Sequence, residues 1–309
     1  MNIILAENTN GGYAMQNRIQ FDVPKALQND IPSYEFLIKL HNKLSMCSDK
    51  HIVLNMKNTQ FVAANLLSLF GCILHDLYNK NKHNFTISNL NGKIKNVMQR
   101  NGFSKLFNLD HISDPNNTTI EYRKFSATTE NLEEFEKYTL LNIMNRNDMP
   151  TMSPLVKDRI VDNILEIFNN VIDHAETPDV FVCGQYFVSS KKLVITITDL
   201  GKTIKKNVSE YLNRSIDHSL KWAIISGNST KSQDAPGGLG ISMLLDFLKL
   251  NKGCFTLISA NEYLEINQKG ERTKFIQSNF PGTIVSITFN MSDDFSYILK
   301  RENNDTIVL

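Results

Sequence analysis

Glu166, Asn170 and His174 recur every four residues in the stretch "SPLVKDRIVDNILEIFNNVIDHAE". At about 100° per residue, helical winding stacks that carboxylate, carboxamide and imidazole on one face. Asp162, Asn169 and Asp173 lie alongside, and Val161, Ile164, Leu165, Phe168, Val171, Ile172 and Ala175 make an apolar stripe opposite. A carboxamide oxygen suits a hard cation that keeps most of its waters. A carboxylate one turn away can hold an attacking water or hydroxyl. A solvated helix face is the plainer alternative, yet two consecutive asparagines in mid-helix are poor helix formers and need a reason.

Three glycine-containing segments follow. In "KLVITITDLGKT" Leu193, Ile195 and Ile197 alternate with Thr196 and Thr198, and the strand ends on Asp199 just before Gly201. A buried carboxylate there can accept from an exocyclic amine such as adenine's, and a glycine lets a flat base approach the backbone. Gly201-Lys202-Thr203 imitates the end of a phosphate loop, but the pattern GxxxxGK[ST] needs a glycine where Thr196 stands. In "SGNSTKSQDAPGGLGISMLLDFLKLNKG" a polar loop precedes Gly237-Gly238-Leu239-Gly240, which opens a helix closing near Gly253. Amides at such a helix start can face phosphate. Lys231 and Arg214 could meet a terminal phosphate; an exposed cation is the simpler reading of each. Gly282-Thr283 begins the strand "PGTIVSITF", with a plain turn into an edge strand as its other reading.

The elements that must position these groups alternate along the chain. "NRIQFDV", "HIVLNM" and "NFTISNL" read as strands, separated and followed by the helices "PSYEFLIKLHNKLSMC", "AANLLSLFGCILHDLYN" and "GKIKNVMQRNG". Strands divided by helices predict an α/β layer. Turn formers in "DPNNTT" suggest a boundary near residue 117. A strand, "IEYRKFS", and a helix over Leu132 to Asn145 connect it to the chemistry-bearing part, in which Ser153-Pro154 marks a helix start. A hairpin turned at Ser189 to Lys192 and the strands "CFTLISA" and "YLEI" complete the pattern.

Thirty-three basic against 32 acidic residues give a net charge of +1, which provides no electrostatic case for nucleic acid or an anionic membrane. No stretch reaches the roughly 20 apolar residues of a membrane span, and "MNIILAENTNGGYA" lacks the basic lead of a signal peptide. The four cysteines lie far apart, the pattern of reduced thiols in a cytoplasmic protein.

The ordered set Glu-x-x-x-Asn, Asp-x-Gly, Gly-x-Gly and Gly-Thr resembles the ATP-binding domain shared by gyrase, heat-shock chaperone ATPases, sensor histidine kinases and mismatch-repair ATPases, the GHKL superfamily. The likeness covers roughly Met152 to Asn290 and implies an α/β sandwich with helices over a mixed sheet. It further implies ATP and Mg2+ as ligands, Glu166 as general base and Asn170 as the magnesium ligand. Asp199 would read the adenine amino group, with Gly201 and Thr283 beside it, and Gly238 and Gly240 would bind phosphates; Asp173, Leu239 and Lys231 complete the set of candidate nucleotide contacts. One departure is Thr203, which stands where the family usually has a second glycine and is expected to tighten the loop. The stretches "HIVLNMKNTQFVAANLLSLFGCIL" and "FTISNLNGKIKNVMQRNGFSKLF" resemble a STAS domain. That fold typically presents a phosphorylatable serine at a helix start which here reads Val62, Ala63, Ala64 and Asn65, so phosphorylation-controlled switching within this chain is not expected.

The expected layout is a STAS-like α/β domain over 1–117, a connecting strand and helix over 118–150, a GHKL-type domain over 151–292 and a tail over 293–309. The expected function is slow magnesium-dependent ATP hydrolysis in a cytoplasmic protein, with lid closure regulating a protein partner; a homodimer is compatible. The alternatives are a serine/threonine kinase of the anti-sigma-factor type, in which Glu166 would deprotonate a partner's hydroxyl, and an interaction module that binds nucleotide without turning it over. None of the seven histidines sits in a long upstream helix of the kind a sensor histidine kinase uses.

Overall fold

Hydrophobic strands flanked by helices produce a mixed α/β structure with a four-stranded parallel sheet, a five-stranded antiparallel sheet and two short parallel strand pairs. The computed structural model describes residues 3–6, 17–225, 228, 240–299 and 302. In the first half, β1 (Ile4–Ala6), β2 (Arg18–Asp22), β4 (His51–Asn55) and β6 (Asn84–Ser88) form a four-stranded sheet in the order β1-β6-β4-β2, every pair parallel. The short strands β3 (Ala26–Leu27) and β5 (Phe61–Val62) pair separately. Parallel neighbours need crossovers, supplied by α1 (Ile31–Leu44) and α2 (Leu67–Asn81), and α3 (Gly92–Arg100) follows. Asp30 caps α1, its carboxylate accepting from the Ser33 amide at 2.9 Å.

In the second half β7 (Thr119–Ser126), β9 (Asp179–Phe187), β10 (Lys192–Asp199), β11 (Cys254–Asn267) and β12 (Gly270–Asn290) form a five-stranded sheet, ordered β11-β12-β10-β9-β7. All its pairs are antiparallel, where the family likeness had led to a mixed sheet. The strand expected to be a connector, β7, is hydrogen-bonded into this sheet as its edge. The helix after it, α4 (Leu132–Thr139), runs into a π turn over Leu140–Met144 and packs on α5 (Pro154–His174), where Phe135 stacks on Phe168 at 4.6 Å. The remaining elements are β8 (Thr151–Met152), paired with β13 (Ser296–Tyr297), and helices α6 (Ile204–Tyr211), α7 (Ser219–Ile224) and α8 (Ser242–Leu250).

The two expected strands "CFTLISA" and "YLEI" are one strand. Their apparent break is a bulge, with register shifts on either side of Ala260, whose φ is 54°. Gly282-Thr283 opens no edge strand: β12 lies between β11 and β10.

Both faces of the five-stranded sheet are covered. On one, Ile195, Ile197, Phe255, Leu257, Val285 and Phe289 join the core made by α4, α5 and α8. On the other, Cys183, Ile258, Phe280 and Ile284 join α1, α2 and the parallel sheet in a second core. The alternation in β10 therefore separates two interiors instead of inside from outside. Its threonines meet polar partners on the first half: Asn65 Nδ2 donates to Thr196 Oγ1 at 3.0 Å, and the Ser68 and Thr198 hydroxyls lie 3.4 Å apart. Asn65 and Ser68 are fully buried, so the start of α2 is covered by the chain's own sheet.

Candidate functional site

A cleft opens between α5 and the sheet, with α6 and α7 along its other side, and its free space including the mouth is about 870 Å³. The enclosed part of that space is about 90 Å³. Its walls are mainly apolar, from Ile167 and Val171 of α5 and Ile197, Phe255, Leu257 and Val285 of the sheet. Asn170, His174, Asp199, Lys202 and Thr283 add a few convergent polar groups.

Asp199 is 2% exposed. Its Oδ1 accepts from the Gly201 amide at 3.0 Å, and Thr283, its register partner across β10 and β12, supplies amide and hydroxyl donors. Burial outweighs these donors and pushes the carboxyl from its ordinary 3.8 up to about 7. Gly201 is required by close approach, because a Cβ there would run into the backbone carbonyl of Ala175 at the end of α5. Thr203 performs a task a glycine could not: its hydroxyl accepts from the Lys206 amide at 3.2 Å and caps α6.

Helix α5 begins as its sequence indicates, with Ser153 accepting from the Val156 amide and Pro154 in the first turn. Asn170 Nδ2 donates to the Glu166 carbonyl at 2.6 Å and lies 3.4 Å from Glu166 Oε1. Glu166 also abuts Gly240, where φ is +65° and a Cβ would lie 2.7 Å from Glu166 Cγ. Any side chain at residue 240 would be both strained and crowded against the carboxylate.

The expected residues Asn170, Asp199 and Thr283 thus line one cleft, with Gly201 bonded to Asp199. Glu166 and Gly240 touch each other one turn from Asn170. Glu166, Gly201 and Gly240 adjoin the cleft without lining it, and Asp173 and Arg214 are exposed and outside the lining as well. Lys231, Gly238 and Leu239 lie outside the described residues. Sequence reasoning passed over Lys202, which lines the cleft and reaches Glu176 at 3.2 Å and Glu210 at 2.5 Å. It also passed over Asn207, whose Nδ2 donates to the His174 carbonyl at 3.0 Å and ties α6 to α5, and over Trp222 and Asn228. Proximity of Lys202 and Asn207 to the Asp-x-Gly segment was the available signal.

Among the described residues no group of three or more His, Cys, Asp or Glu side chains gathers as a protein-only metal centre, and no helix is long and apolar enough to cross a membrane. No protein-family model matches this chain, and no curated protein matches it.

Proposed function

We propose that the cleft binds ATP together with Mg2+ and hydrolyses it slowly, and that the second half is a GHKL-type ATP-binding domain docked on a STAS-like first half. The observation that carries this reading is the buried Asp199 carboxylate in an apolar slot that also contains Asn170, with Glu166 one turn further along the same helix. From Glu166 to His174 the helix advances about 12 Å, at roughly 1.5 Å per residue, a length suited to a nucleotide laid along it.

The residues fit such a ligand. Asp199 offers an acceptor to an exocyclic amine and would repel the carbonyl that guanine presents at the equivalent position. The glycine at 201 lets the segment after Asp199 pack closely against the end of α5, beside the proposed base site. Asn170 has its N–H end tied to the helix backbone, the orientation in which Oδ1 serves a hard cation. Bound magnesium would neutralise phosphate charge and orient the terminal group. Glu166 would hold a water at its carboxylate and take its proton as that water attacks. A protein hydroxyl in the same place would make the reaction phosphotransfer.

Incubation with ATP labelled in its terminal phosphate, with and without Mg2+, tests the reading. Free labelled phosphate is expected, dependent on Mg2+. Glu166→Ala is expected to keep ATP affinity within about threefold while turnover falls about 100-fold or more. Label on a protein partner in place of free phosphate assigns the kinase activity, and absence of ATP binding removes the proposal.

A further inference from the structure

The first turn of α8 is held by a side chain from a different helix. Ile241, its N-cap, has no acceptor side chain and makes no capping bond. The amide of Leu244 instead donates to Asn163 Oδ1 of α5 at 2.7 Å. An orphan amide at a helix start is ordinarily satisfied by the helix's own N-cap residue, so Asn163 acts as a cap supplied from outside. Asn163 is 9% exposed, and a buried asparagine in mid-helix is unfavourable unless its carboxamide has such a task.

Asn163 precedes Glu166 by three residues, and side chains so spaced are neighbours on one helix face. The same short segment is therefore touched twice by α5: Glu166 packs on Gly240 and Asn163 binds the Leu244 amide. Asn170, one turn beyond Glu166, shares that frame.

We propose that Asn163 is a positioning residue of the cleft: it sets the register of Gly240 and the start of α8 against the α5 face that carries Glu166 and Asn170. This rests on the ATP-binding reading above, and it concerns the end of the cleft remote from Asp199. Losing the cap lets the α8 start drift from Glu166 while the base-end contacts at Asp199, Gly201 and Thr283 stay in place. The loss falls on the triphosphate and spares the nucleoside.

The test compares Mg-ATP with adenosine by titration calorimetry. Asn163→Leu keeps the branched shape and removes the acceptor; it is expected to weaken Mg-ATP by about tenfold and leave adenosine unchanged. Asn163→Asp keeps an acceptor in the same place and is expected to restore the wild-type ratio of the two affinities. If the leucine variant does not fold, Asn163→Ser, too short to reach the amide, takes its place in the same comparison. An unchanged ratio, or an equal loss for both ligands, overturns this inference alone. A wild-type chain that binds neither ligand overturns the functional reading, and this inference with it.

Discussion

Asp199 is the residue whose ionisation would tie the fold to the proposed ligand. Its carboxyl titrates near 7 in the folded chain against 3.8 ordinarily, because burial penalises the charge. A raised acid pKa means that the folded state binds the proton more tightly than the unfolded state does. That stabilisation is fully present below about pH 4 and is lost as pH rises through about 7. Asp199→Asn is expected to flatten this dependence in denaturant titrations and to gain up to about 4 kcal/mol over wild type above about pH 8. Ligand affinity runs the other way. An exocyclic amine is held more strongly by the charged carboxylate than by the neutral acid, so under the proposed function ATP should bind more tightly as pH rises through about 7, and the asparagine variant should lose that pH dependence. Unfolding curves that are parallel for the two proteins at every pH would refute the assignment.

At the scale of elements, the site was legible wherever chemistry and periodicity coincided. Helix α5 showed its start through Ser153-Pro154 and its polar face through a four-residue spacing; β10 showed its end through Asp199 and Gly201. Less visible were contacts made between elements distant in sequence. Asn163 reads as one polar residue within an apolar helix until α8 is laid beside it. The Ala260 bulge reads as a strand end, because a bulge and a turn interrupt the alternation in the same way. Thr203 looked like a missing glycine and is a helix cap. Removing that cap by Thr203→Ala should cost about 1 kcal/mol in denaturant unfolding. Because α6 contributes Asn207 and Val208 to the cleft, ATP affinity should fall with it. Equal stability of the two proteins would show that the Lys206 amide finds another acceptor.

For the whole molecule, the alternating strands and helices made an α/β class legible, but not that the halves share a core. The apolar residues of β9 to β12 on the face towards α1 and α2 carry no mark of which unit will bury them. Their docking is specified by polar pairs as well: Asn65 with Thr196, and the Ala64 amide with Gln185 Oε1 at 2.6 Å. Buried and part-buried hydrogen bonds of this kind are costly to leave unmade, which favours one seating of the first half on the sheet. Scanning calorimetry should therefore show a single unfolding transition for the full chain, since losing either half exposes a face of the shared sheet. Two separated transitions would mean that the halves melt independently.

The consecutive side chains of Thr198 and Asp199 serve different interiors, one against α2 and the other in the cleft. Only the thickness of a single peptide ribbon lies between the cleft and the first half. Sequence change along this ribbon must satisfy two sets of neighbours at once, leaving less room for drift here than at a strand with one wet side.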